Sequence, residues 1–276
     1  MSSLAAVADN ALHNAVQTVT PPFTAQPVSS PLQHFARFFQ ASLAHSSAQK
    51  QQTFRLRHQV YCEELQFEPG RDTGLEHDQF DQRAIHCAIS RLSTQELAGT
   101  VRLITSGHAS ELLPVEHYCA SALQHPSLTP KHFDRNQICE ISRLAVPALI
   151  RQRKLATAPS NISSINTLLH TLEGRCCEAV AISLYLVAML MCLHYKKYHV
   201  FVMAEPALAR VLRRIGIHFV QIGDVVDFNG KRAPFYVDAR TTLNTLGEEY
   251  KVLTDILSEQ LFATDIIRPS GIAGVN

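Results

Sequence analysis

The chain has 276 residues, with 25 Lys and Arg against 24 Asp and Glu, a formal net charge of +1, and 46% hydrophobic residues. That length holds one large domain or two small ones, and the hydrophobic share is ordinary for a globular protein with a sizeable core. So even a charge balance gives no general pull toward nucleic acid or an anionic membrane, and a charged partner must be recognised by a local patch.

Residues 1–30 are rich in Ala, Ser, Thr, Val and Pro, show no clear periodicity and contain no Lys or Arg. They read as a mobile tail rather than a secretory signal, ahead of a single domain over 31–276. Ser30-Pro31 has the form of an N-cap followed by proline at the first helical position, and Leu32, Phe35, Phe38, Phe39 and Leu43 follow at helical spacing. A second helix is expected from about Thr53, carrying Phe54, Arg57, Tyr61 and Leu65, until Glu68-Pro69-Gly70 breaks it.

Strands are expected over 84–90 and 98–104, joined by the polar turn Ser93-Thr94-Gln95-Glu96. Residues 106–137 read as irregular. A strand over 139–146 ends at Pro147, and a basic run, Arg151-Gln152-Arg153-Lys154, leads to an apolar helix at about 175–195. The apolar run of that helix is short for a bilayer span of about 20 residues, so a buried helix is expected and no membrane span. Further on come a strand over 200–204, a short helix from Glu205-Pro206 to Gly216, strands at 219–222, 225–228 and 233–237, and a terminal amphipathic helix over 248–262. Asn229-Gly230 is a hairpin turn signal. The alternation points to an α/β fold: one mixed sheet with helices on both faces.

The seven cysteines are an odd number without a Cys-x-x-Cys pair, and Cys176 and Cys177 are adjacent. This argues against a disulfide framework or a zinc site, and for a reducing, cytoplasmic compartment.

The segment Cys139-Glu140-Ile141-Ser142-Arg143-Leu144-Ala145-Val146 carries the chemistry. Alternation along a strand sends Glu140 and Ser142 to one face and Arg143 to the other. Charges among apolar neighbours need partners or a substrate. A matching set lies upstream in Glu76-x-Asp78-x-x-Asp81, Arg57 and Arg102. That acidic run reads in several ways: a solvated loop, an ion-pair cluster anchoring the helix to the sheet, a substrate contact, or, with His77 and His86, a metal site. Its spacing matches no metal motif, so no metal is assigned. Arg102 is expected opposite Val101 and Leu103, on a face that either meets solvent or lines a cleft. Arg151, Arg153 and Lys154 form either a solvated turn or a docking point for phosphate.

Taken together, these blocks resemble the acyl-homoserine-lactone autoinducer synthases and the related N-acyl amino acid synthases, both of the GCN5-related N-acetyltransferase (GNAT) fold. The resemblance rests on Arg57-x-x-x-Tyr61, Phe67, Glu76-x-Asp78-x-x-Asp81, Arg102 and Glu140-x-Ser142-Arg143, and runs from about residue 54 to 146. Ser142-Arg143-Leu144-Ala145-Val146 and the stretch from Glu205 to Ile217 are also similar to the PEP-CTERM/exosortase system-associated acyltransferases, a likeness that extends to about residue 240. Tyr61 and Phe67 stand where the lactone synthases usually have phenylalanine and tryptophan, and the glycine-rich pyrophosphate loop of acetyltransferases is missing.

The resemblance implies transfer of a fatty acyl group from a thioester to the amine of an amino acid or similar small molecule, without a bound cofactor. Acyl-carrier protein is the expected donor and partner, with acyl-CoA the alternative. Glu140 is the expected base, directly or through water, and Ser142 a hydrogen-bonding partner. Arg57, Phe67, Glu76, Asp78, Asp81, Arg102 and Arg143 form the substrate or ion-pair cluster, and Arg151, Arg153 and Lys154 dock the carrier. A non-catalytic acyl- or lipid-binding regulatory module on the same fold is the rival reading, and a metal-dependent hydrolase built on residues 76–86 is a third.

Overall fold

The computed structural model describes residues 31–152 and 165–266; the tail read from residues 1–30 lies outside them. The helix expected over 32–43 is instead a 3-10 stretch, Pro31–Arg37, followed by strand β1, Phe39–Leu43. Phe35 and Phe39 are both buried, which imitates helical spacing, but burial then alternates along 39–43 with a period of two. Pairing with the next strand settles the conformation.

Helix α1, Ser47–His58, starts ahead of the expected position. Ser46 and Gln49 close its first turn in a reciprocal capping box, which a polar first turn without apolar periodicity conceals. It continues as one wide π-helical stretch, Gln59–Glu64.

Strands β2 (Ala84–Arg91) and β3 (Leu97–Thr105) are antiparallel and close to expectation. Between β3 and β4 (Ile138–Ala145), the segment expected to be irregular contains helix α2, Pro114–Cys119, and several 3-10 turns. Three cations lash it down. Arg83 donates to the carbonyls of Thr105, Glu111 and Leu112, Arg135 holds Glu116 at 2.8 Å, and Lys197 reaches the carbonyls of Ser106 and Asn136.

After β4 come α3 (Ala148–Arg151) and α4 (Ile165–His194). The 30-residue α4 carries the chain back across the sheet to β5 (His199–Ala204), which makes β4 and β5 the one parallel pair in an otherwise antiparallel sheet. Then follow α5 (Pro206–Arg214), β6 (Val220–Gln221), β7 (Val226–Asp227), β8 (Lys231–Asp238), α6 (Ala239–Thr245) and α7 (Glu248–Ile266). The strand order is β1-β2-β3-β4-β5-β8-β6, with β7 on β8.

Alternation divides the sheet into two unlike faces. Cys87, Val101, Leu103, Cys139, Ile141 and Phe235 join α4 and α7 in the main apolar core. The opposite face carries His86, Arg102 and Glu140, all buried, next to a smaller cluster around Phe80, Ile104, Val115 and Phe201. Over Leu172–His194, α4 is long and apolar enough to cross a membrane, yet most of it is buried against the sheet and α7, as a core helix is.

The point that matters for the site is the parting of β4 and β5. Their pairing lasts from Ile138 to Glu140 against His199 to Phe201. Beyond it, β4 follows β3 as far as Ala145 while β5 follows β8 as far as Ala204.

Two glycines with positive φ test the packing. Gly216 (φ +99°) ends α5, and an added methyl would run into the Thr245 backbone; Gly230 (φ +101°) sits in the β7–β8 turn with open space around it. Gly230→Ala is expected to cost about 1 kcal/mol from backbone strain alone, and Gly216→Ala about 3 kcal/mol. Urea denaturation of the two variants gives the comparison.

Candidate active site

A cavity of about 450 Å³ fills the parting. Ile141, Ser142, Arg143 and Leu144 of β4 form one wall, and Val202, Met203, Ala204 and Glu205 the other. Tyr185 of α4 and Leu208 of α5 lie on the main-core side. Phe80, Tyr118 and Phe228 give the opposite side an aromatic lining, while Asp78, Arg102 and Arg232 make it polar. The lining thus offers surface for a hydrocarbon and polar groups for a charged one.

Glu140 belongs to this lining at the point where the strands separate. It is only 2% exposed, and its Oε2 accepts a 2.7 Å hydrogen bond from the Val115 backbone N–H in the first turn of α2. Burial pushes its carboxyl up to about 8; the Val115 bond and Arg102 pull the other way without prevailing. Glu140 is therefore largely protonated at neutral pH.

Behind β4 lies the charged network. Arg57 holds Glu76 at 2.5 Å and grips Asp81 with two hydrogen bonds of 2.7 and 3.1 Å. Arg102 bonds Asp78 at 2.7 Å and Asp81 at 2.9 Å, and donates to Ser142 Oγ at 3.1 Å. Arg143 bonds Glu68 at 2.9 Å and Glu76 at 3.1 Å, with Asp78 at 3.6 Å. Burial alone would raise these carboxyls, but the guanidinium groups outweigh it. Arg57 and Arg143 hold Glu76 below its usual range, Arg102 does so for Asp78, and Arg57 and Arg102 hold Asp81 lower still.

Alternation sent Arg143 to the face opposite Ser142, and here the structure differs. The register steps from Arg102↔Ser142 to Thr100↔Ala145, so two residues of β4 oppose one of β3. This bulge has Arg143 in the left-handed region at φ 52° and turns its guanidinium onto Glu68 and Glu76, while both Arg143 and Ser142 line the cavity.

The alternatives for the acidic run resolve by position. Arg57 and Glu76 are fully buried and Asp81 nearly so, which makes their ion pairs structural. Asp78, Arg102 and Arg143 belong to the same network and also line the cavity. Each acid once eligible as a metal ligand is held by an arginine, and among the described residues no three His, Cys, Asp or Glu side chains converge on one point. His86 lies 3.5 Å from Asp81, and burial pushes it down to about 4, so it is neutral.

Two expectations need correction. Phe67 does not line the cavity; it packs with Leu56, Val60 and Tyr61 and lies beneath the guanidinium of Arg232. Arg151 is not a free docking cation: it pairs with Glu64 at 2.5 Å, and the same Glu64 oxygen accepts from the Ala148 N–H, closing α3 against the end of the π stretch. Arg153 and Lys154 lie outside the described residues. Val115, Tyr185, Glu205 and Arg232 were not singled out as site residues in the sequence, where each looks like an ordinary element residue. Pro114 at a helix start was the one available signal for α2.

The family profile described as acetyltransferase (GNAT) domain matches residues 56–158. Among solved structures, BjaI, a CoA-dependent acyl-homoserine lactone synthase with SAM and isopentyl-CoA, is 18% identical, with a TM-score of 0.54 over 79% of this chain and 89% of that one. The fold is the GNAT fold. TofI, in a ternary complex with an inhibitor and MTA, is 17% identical with a TM-score of 0.52, covering 75% of this chain and 95% of that one. MesI, another CoA-dependent acyl-homoserine lactone synthase, is 16% identical with a TM-score of 0.50, covering 79% and 94%. No curated protein matches the chain. In this GNAT fold the parting of β4 and β5, the bulge on β4 and the cavity between them form one connected feature.

Removing one partner of a buried ion pair strands the other. Arg57→Met, which leaves Glu76 and Asp81 uncompensated, is expected to lose about 3–5 kcal/mol in urea denaturation at pH 7. The depressed carboxyl groups stabilise the fold above the unfolded-state value of about 4, and this stabilisation is lost as pH falls through their folded values below it. Wild-type stability should therefore fall steeply below about pH 4, and the variant's more gently.

Proposed function

We propose that the protein is an N-acyltransferase that moves a fatty acyl group from a thioester to the amino group of an amino acid or similar small amine, with Glu140 as the base. The observation that carries this reading is a buried carboxyl at the point where β4 and β5 part, on the wall of a crevice lined by both apolar and charged side chains; burial pushes that carboxyl up to about 8. A substrate ammonium must lose a proton before it attacks, and a base of that strength is matched to it near neutral pH.

In the proposed reaction the ionised Glu140 carboxylate takes a proton from the acceptor ammonium, directly or through a water. The neutral nitrogen attacks the thioester carbonyl and a C–N bond forms; the C–S bond then breaks, and the second proton lost from nitrogen passes to the departing sulfur, which leaves as the thiol. Backbone N–H groups of β4 beyond Glu140, which have no partner on β5, are suited to receive the oxyanion; one such donor commonly contributes about 3 kcal/mol. Ser142, whose Oγ already accepts from Arg102, keeps its own proton for the acceptor or the thioester. A regulatory lipid-binding module would use the same cavity, but would gain nothing from a buried acid where the strands part.

The donor is a fatty acyl thioester on carrier protein or CoA. With Arg151 tied to Glu64, carrier docking falls to Arg153 and Lys154. The likeness at 142–146 and 205–217 supports an association with the exosortase system, and seven buried thiols suit a reducing cytoplasm.

With a long-chain acyl thioester and an amine acceptor, kcat/KM should rise with pH through an inflection near 8. Glu140→Gln should remove that limb and lower turnover about 10²–10⁴-fold. Full turnover in the variant would rule out Glu140 as the base. Stability offers a second reading. The raised carboxyl stabilises the fold below about pH 4.5, and this is lost as pH rises through about 8, so the neutral glutamine should melt at or above wild type at pH 9. For the donor, Arg153→Glu with Lys154→Glu should raise KM for acyl-carrier protein several-fold more than for acyl-CoA. Equal changes on both would count against carrier docking.

A further inference from the structure

Most cavity-lining or nearby arginines of the described residues are held by the protein itself. Arg57, Arg102, Arg143 and Arg151 grip carboxylates, Arg71 donates to the His77 carbonyl, and Arg83 donates to three carbonyls. Arg232 is different. It stands on β8 just after the Asn229-Gly230 turn, on the sheet face opposite Ala233 and Phe235, and it lines the cavity. Its Nη2 is buried without a hydrogen-bond partner, and Glu205 and Glu68 act on it only through space. Burial lowers its hold on its proton, the mark of a cation that its surroundings leave uncompensated.

Phe67 lies under the guanidinium at 5.6 Å from ring centroid to Cζ. A ring face in that position steadies a cation without neutralising it, which leaves the planar fork free to bind. The charge around the cavity agrees. Arg71, Arg102, Arg143 and Arg232 face Glu68, Asp78 and Glu205, with Glu140 protonated, so four positive groups stand against three negative ones.

Along the sheet, Glu140 is level with Phe201 and so with Tyr236, which lies roughly 13 Å along β8 from Arg232, with two strand spacings of about 5 Å each across the sheet. A long guanidinium reaching from one end and an acid at the other bracket the space for a small molecule that carries both an anion and an amine.

We infer that Arg232 is a specificity-determining residue that anchors a carboxylate of the acceptor, so that the site selects against a plain amine. This rests on the acyltransferase reading for the identity of the reaction, but the recognition itself is a binding property. A bidentate guanidinium–carboxylate pair fixes the acceptor so that its amine points toward Asp78 and Glu140. Phe67 then acts as a positioning residue behind the anchor.

The test is calorimetric titration of the full chain with N-dodecanoylglycine and N-dodecanoyltyrosine, each beside its neutral C-terminal amide, and with coenzyme A. At least one acid should bind about 10- to 100-fold more tightly than its amide. Arg232→Gln should bring that ratio close to one by weakening the acid alone, and Arg232→Lys should retain part of it, both with unchanged melting temperature. Equal binding of acid and amide by wild type, no binding of either, or a ratio that survives Arg232→Gln would overturn the inference. So would a variant that loses coenzyme A while keeping the acids, since the anion would then be a donor phosphate. Release of thiol from acyl thioesters is measured separately: its absence would sink the acyltransferase reading and leave the binding ratio to judge Arg232.

Discussion

The parting of β4 from β5 depends on the buried ion network behind it. A strand that leaves its neighbour exposes backbone groups, and this one also bears an arginine in a left-handed conformation that costs about 1–2 kcal/mol. Glu68 and Glu76 hold that arginine's side chain where the bulge directs it. Glu76 is in turn fixed by Arg57 from α1, and Asp78 and Asp81 by Arg102 from β3. Four segments distant in sequence are thereby tied to one bent strand, and the crevice is the space their geometry leaves.

The same region sorts carboxyl groups into two kinds. Those facing arginines remain ionised despite burial. Glu140, equally buried but offered mainly one backbone N–H, becomes neutral. Environments that drive neighbouring acids apart in this way suit them to separate tasks: holding the architecture in one case and, in the proposed reaction, moving a proton in the other.

Much of this was legible in the chain. The period-two pattern of 98–104 placed Arg102 opposite Val101 and Leu103, and the cost of burying charge made an ion-pair cluster of the arginines with the acidic run one of the readings left open. Four things were hidden. Phe35 and Phe39 imitate a helix because both meet one core, although from different elements. The β4 bulge leaves no mark in composition, so strict alternation misplaced Arg143. Arg151 read as a free cation available for docking because its partner, Glu64, comes from the far end of a π-helical stretch that no local signal announces. Arg232 follows a hairpin motif and draws no notice until its neighbours are known.

One feature of the lining bears on selectivity of a different sort. Cys119 stands in the crevice wall, where any thioester laid there passes a sulfur capable of capturing it. Burial, reinforced by the nearby Glu140, raises the pKa of that sulfur and keeps it in the unreactive SH form. The low polarity that strengthens the grip of Glu140 on its proton thus also restrains the enclosure from acylating itself.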